Sequence, residues 1–147
     1  MYSNLETISS KIEKLSKDDW EKLFILIPKI ENTKNFIESG GIIKDPNNPN
    51  RFMITPIIER SIVWDVEDVL DKLDLLVAFE WSKWNKGKEI IAKQSFENLD
   101  TITLLKLISV FIRNNRFCDG VLAKRFEDKS IERILKQIKK NIKNQQP

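Results

Sequence analysis

Apolar residues recur at helical spacing along most of the chain. Leu5, Ile8, Ile12 and Leu15 fall three or four positions apart, which puts them on one face of a helix. Ser16 follows, with a hydroxyl suited to cap a second helix, and Asp18 and Asp19 sit near that helix's positive end. The next stripe is Trp20, Leu23, Phe24, Ile27 and Ile30, and Pro28 is expected to end or kink this helix near Ile27. A short helix is predicted over about Thr33 to Ser39, stopped by Gly40-Gly41. Residues 42–56 (IIKDPNNPNRFMITP) read as a loop, because three prolines and three asparagines in fifteen positions defeat both a helix and a central strand. A loop of this length in a small domain is either functional or a plain surface excursion.

The helical pattern then returns with Ile62, Val66, Val69, Leu70, Leu73, Leu76 and Val77. A shorter amphipathic piece spans roughly Trp84 to Gln94. From Leu99 to Ile112 almost every side is apolar, the mark of a central, buried helix. The last stripe is Ile131, Ile134, Leu135, Ile138 and Ile142, with Lys136, Lys139, Lys140 and Lys143 on the outer face and residues 144–147 as a frayed tail. Strand-like alternation, internal repeats and interdomain linkers are not evident. The pattern predicts one all-α domain over residues 1–147, a bundle of six to eight helices around the helix at about 99–112.

Composition narrows the chemistry. The 147 residues are 41% hydrophobic and 32% charged, which excludes wholesale disorder. There is no histidine, so Ser–His and Cys–His nucleophile pairs are excluded along with the commonest metal ligand. Cys118 is the single cysteine, which rules out an intrachain disulfide and a multi-cysteine zinc site. Beside Phe117 it reads as a small buried hydrophobe rather than a reactive thiol. No stretch approaches the roughly 18 apolar residues of a membrane span. With one thiol and no apolar leader, the expected compartment is the cytoplasm of a bacterial host cell. The Lys, Ile and Asn bias resembles an AT-rich bacterial or phage genome.

Charge is unevenly placed. Residues 1–73 hold 10 basic against 13 acidic side chains, whereas residues 101–147 hold 11 against 4. The basic third is either a solvated lysine-rich helix or a face for an anion. Asp65, Glu67, Asp68 and Asp71 read as the solvated face of an amphipathic helix, since nothing there matches a metal loop.

Two constellations could carry function. In Phe79-Glu80-Trp81-Ser82-Lys83-Trp84, two tryptophans three apart share one helix face and form either a stacking wall or a piece of core. Glu80 beside them would be a perturbed carboxylate if buried. In Arg113-Asn114-Asn115-Arg116-Phe117-Cys118-Asp119-Gly120, an asparagine capping the following helix would leave Arg113 and Arg116 flanking its N-terminus, an arrangement suited to phosphate or carboxylate. The alternative pairs Arg116 with Asp119, Glu127 or Glu80 as a clasp between helices.

These motifs resemble a family of small bacterial and phage proteins known as a domain of unknown function. The resemblance lies in Phe79-Glu80-Trp81 with Trp84, Leu104 to Leu107, then Arg113, Arg116, Phe117, Asp119, Gly120 and Leu122, closing with Ile131 to Ile138. It covers roughly residues 60–140, and Asn115 stands where the family pattern has an acid. Members joined to ADP-ribosylglycohydrolase-like domains imply ADP-ribose or a related nucleotide as the ligand class.

The expectation is a non-catalytic protein that sequesters a small anionic nucleotide-like ligand. In a phage this would be an anti-defence sponge for an ADP-ribose-derived signal. The expected site comprises Trp81, Trp84, Arg113, Arg116, Phe117, Asp119 and Glu80, with no catalytic residue, metal or cofactor. The competing readings are a protein-interaction module or inhibitor of a host enzyme, and nucleic-acid binding through the basic C-terminal helix. Of the partners, nucleic acid ranks behind a host protein, and the oligomeric state is left open, a homo-oligomer included.

Overall fold

The computed structural model describes residues 2–145. Strand β1 (Ser3–Asn4) runs into helices α1 (Leu5–Lys14), α2 (Lys17–Phe24) and α3 (Leu26–Glu31), followed by strands β2 (Ile37–Asp45) and β3 (Asn48–Glu59). Helix α4 (Ser61–Lys72) and strand β4 (Val77–Ala78) precede a 3-10 turn (Trp81–Lys83). Helices α5 (Asn85–Lys93), α6 (Thr101–Asn115), α7 (Val121–Glu127) and α8 (Ser130–Gln145) complete the described residues.

The fold is therefore mixed α and β, and the all-α expectation is corrected in two places. The first is the long antiparallel hairpin of β2 and β3, which replaces both the helix expected at 33–39 and the loop at 42–56. Gly40 and Gly41 do not end a helix. Both have positive φ (97° and 94°), and a Cβ on Gly40 would collide with the Pro56 carbonyl of the facing strand. They form an irregularity in β2 that only glycine allows. The prolines are tolerated because each strand of a two-stranded sheet keeps one edge free of partners. The tip turns at Pro46-Asn47, where the Asp45 carboxylate accepts the Asn47 N–H at 2.9 Å. Period-two alternation was present: Met53, Thr55, Ile57 and Glu59 face inward, while Phe52, Ile54, Pro56 and Ile58 face out.

The second correction is a short parallel pair, β1 with β4, in which Ser3 lies opposite Val77 and Asn4 opposite Ala78. The helix expected to reach Val77 stops at Lys72, and Asp74 turns the chain with φ 58°. Ser109, 2% exposed in the middle of α6, anchors this pair. Its Oγ accepts the Val77 N–H at 2.8 Å and donates to the Leu105 carbonyl at 2.7 Å.

Elsewhere the periodic pattern holds. Ser16 and Asp19 form a reciprocal capping box at the start of α2. The break after α2 comes at Ile25, and Pro28 lies within the first turn of α3, where its missing N–H costs nothing. Helix α6 is the central element, with Leu104, Leu105, Leu107, Ile108, Phe111 and Ile112 all buried. Helix α8 lays Ile131, Ile134, Leu135, Ile138 and Ile142 into the same core. Of the expected frayed tail, Asn144 and Gln145 continue α8, and residues 146–147 lie outside the described residues. No helix among the described residues is long and apolar enough to cross a membrane.

Candidate functional site

The segment after β4 builds the first cavity. Because residues 81–83 form a 3-10 turn, positions 81 and 84 nearly eclipse, and Trp81 and Trp84 come to one side of the chain. Trp84 is fixed from three directions. Its ring meets Phe79 edge-on at 5.3 Å and 87°, and the Lys106 ammonium sits 4.0 Å from its centroid. Gly87 lies beneath it, and any Cβ there would run into the indole. Burial pulls the Lys106 ammonium below the usual lysine value, against Asp100, which draws it up.

A cavity of about 260 Å³ opens beside this cluster, lined by Trp81, Trp84, Gly87, Lys88, Ile91, Ala92, Val110, Asn114 and Arg125. Lys88 donates to the Ser82 carbonyl at 2.6 Å, which closes the 3-10 turn and holds its ammonium at the rim. Arg125 stacks over Phe111 at 4.8 Å and uses Nη1 on Asp128 at 3.3 Å, leaving other guanidinium donors for a ligand. The arrangement offers an indole wall, an apolar floor, one amide and two cations.

A second cavity, of about 300 Å³, lies where the inner face of β3 meets α4 and the end of α6. It is lined by Ile57, Glu59, Trp64, Glu67, Ile112, Asn115, Arg116 and Asp119. Arg116 reaches Glu67 at 3.8 Å and lies 5.4 Å from the centroid of the Tyr2 ring. Burial lifts the Glu67 carboxyl above its ordinary value, with Arg116 opposing and Asp68 and Asp71 adding to the rise. Asn115 turns inward, and its side-chain oxygen accepts the Leu122 N–H at 3.1 Å across the turn into α7. Gly120 closes that turn with φ 87°, a conformation that residues with a side chain rarely adopt, and it packs against the end of the Ile57 side chain.

The expected site residues are thus divided. Trp81 and Trp84 line the first cavity, and Arg116 and Asp119 line the second. The last turn of α6 separates them, since Asn114 faces one cavity and Asn115 with Arg116 the other. Arg113 is half-buried and lines neither. Glu80 is exposed and pairs with Lys83 at 3.3 Å. Phe117 is 81% exposed, and Cys118 is an exposed free thiol rather than a buried hydrophobe. The partner of Arg116 is Glu67, which the amphipathic pattern had assigned to a solvated face.

Sequence reasoning missed Lys88 and Arg125 in the first cavity, and Glu59 and Trp64 in the second. A glycine three residues after Trp84, inside an amphipathic helix, was the available signal for the first, because it marks close packing. Nothing local pointed to Arg125, which arrives from a helix 40 residues further along.

One family model matches the chain, over residues 15–144, and it is described as a family of unknown function (DUF6508). The match extends well upstream of the residues 60–140 that carried the resemblance. No curated protein and no solved structure matches the chain.

Proposed function

The chain belongs to this family of unknown function, and from its geometry we propose that it binds a small, flat, anionic ligand of the nucleotide type in the cavity beside Trp81 and Trp84. The observation that carries the reading is the convergence of two indoles and two cations, Lys88 and Arg125, on one cavity. A volume of about 260 Å³ is slightly below the roughly 300–1,000 Å³ of cavities that enclose drug-sized ligands. It suits one ring system, with the phosphate at the rim and the rest of the ligand outside.

Stacking supplies about 1–3 kcal/mol per base, and each charge-assisted hydrogen bond from Lys88 or Arg125 adds about 1.5–3 kcal/mol. Together these gross contributions come to about 4–9 kcal/mol, opposed by the cost of immobilising the ligand. The chain holds the ligand rather than converting it in this reading, because it has no histidine to move protons beside the rings. A sponge for an ADP-ribose-derived signal is its finer form, and that form predicts tighter binding of ADP-ribose than of AMP.

Calorimetry with AMP, ADP and ADP-ribose tests this. Saturable heat is expected, with affinity at least tenfold weaker in Arg125→Ala and in Trp81→Ala, about 1.4 kcal/mol each. No heat with any of the three, or unchanged affinity in both variants, overturns the reading. Nucleotide recovered intact after heating the complex separates holding from turnover.

A second reading has one observation behind it. The outer face of the β2–β3 hairpin exposes Ile42 (75%), Phe52, Ile54 (87%) and Ile58, with Ile42 and Ile54 directly paired. A twofold pair through this face would have to bury about 1,000 Å² in total to count as a specific interface. The occupant we assign is a second copy of the chain, since both strand edges are also free to pair. The nucleic-acid reading is weaker, because Arg133 is engaged with Glu97 at 2.6 Å and Lys136 with Glu31 at 3.1 Å.

A further inference from the structure

The geometry points to a second ligand site: we propose that the cavity at the base of the hairpin takes an organic cation rich in N–H donors, a guanidinium or a primary ammonium group. The carrying observation is Glu59. This last residue of β3 is 8% exposed and lines the cavity, and among the described residues no hydrogen bond or ion pair reaches its carboxylate. The rest of the residue is packed away while the carboxylate oxygens stay accessible, so a donor that enters the cavity can reach them directly.

The neighbours do not supply that donor. Arg116 is the one cation lining the cavity, and it leans on Glu67 at 3.8 Å, leaving Glu59 and Asp119 uncompensated. Two negative charges in excess repel the nucleotide expected at the other cavity and attract a cation here. Trp64, half-exposed at the rim, offers an indole face to such a group, a contact worth about 0.5–2 kcal/mol.

The donor arrangement also chooses between kinds of cation. Among the described residues no three carboxylates stand close enough together to hold a metal ion. Carboxylates spread around a cavity of about 300 Å³ fit a group whose several N–H donors point in different directions. The amide of Asn115 is already committed to the Leu122 N–H, so recognition falls to the carboxylates and the indole.

Calorimetric titration with agmatine, which carries both a guanidinium and an ammonium group, tests the proposal at fixed ionic strength. Saturable binding is expected, at least tenfold weaker in Glu59→Gln, which keeps the side chain's shape and removes its charge. Tetramethylammonium, a cation without N–H donors, is expected to bind at least tenfold more weakly than agmatine. Asp119→Asn, at an exposed position, is the second variant and is expected to weaken agmatine about threefold. Arg125→Ala is expected to leave agmatine binding unchanged, which separates this site from the nucleotide cavity. The proposal is overturned by no saturable binding up to about 10 mM. Equal affinity in every carboxylate variant that folds, or tetramethylammonium binding as tightly as agmatine, overturns it as well.

Discussion

Single side chains in this protein take their roles from what lies across from them. Glu67 was placed by periodicity on a solvated face, yet it packs against the hairpin base and faces Arg116. Burial raises its carboxyl pKa, so the folded state holds the proton more tightly than the unfolded chain does. Its contribution to stability is therefore full below the ordinary glutamate value of 4.5 and is lost as pH rises through the higher folded value. Glu67→Gln is expected to equal or exceed the native chain in thermal stability at neutral pH. That advantage should vanish as the pH falls below 4.5. Melting curves across this range check the sign, and a variant less stable only at neutral pH would show that the Arg116 pair outweighs the burial. Glu67 was illegible from sequence for a plain reason: its partner lies 49 positions away.

At the scale of elements, local signals fixed helices well and strands poorly. The Ser16–Asp19 capping box and the apolar stripes of α6 and α8 need only neighbours within a turn or two, and all are evident in the chain. The β1–β4 pair depends on a polar residue from a third element. Ser109, a hydroxyl within the most apolar helix, holds the Val77 N–H. Ser109→Ala would leave that buried amide unsatisfied and is expected to cost about 1–3 kcal/mol, with faster hydrogen exchange at Val77 than at core amides of α8. A serine that merely fills space would leave Val77 exchange unchanged. In the hairpin the prolines and asparagines dominated the reading, although the alternation from Phe52 to Glu59 was already there. Turn-forming composition and strand periodicity compete in such a segment, and here the pairing across Gly40 and Gly41 decides.

At the scale of the whole molecule, an exposed apolar hairpin stands beside a well-packed helical core. If two copies meet through it, light scattering should report a dimer for the native chain at high concentration and a monomer for the Phe52→Asp, Ile54→Lys double variant, with both equally folded by circular dichroism. A native chain that stays monomeric at about 100 μM, where a weak interface should already associate, removes the second reading. The sequence by itself determined the central helix, the basic C-terminal helix, the α2 cap and the narrowing of catalytic options that follows from a chain without histidine. It also singled out residues 79–84 and 113–120, which supply part of the lining of the two cavities. Tertiary structure alone decided the distribution of charge between those cavities, putting Arg125 beside the tryptophans and leaving Arg116 among carboxylates. The reason is physical: helix periodicity is set within a few residues, whereas a cavity's charge is the sum of side chains delivered by elements far apart in the chain.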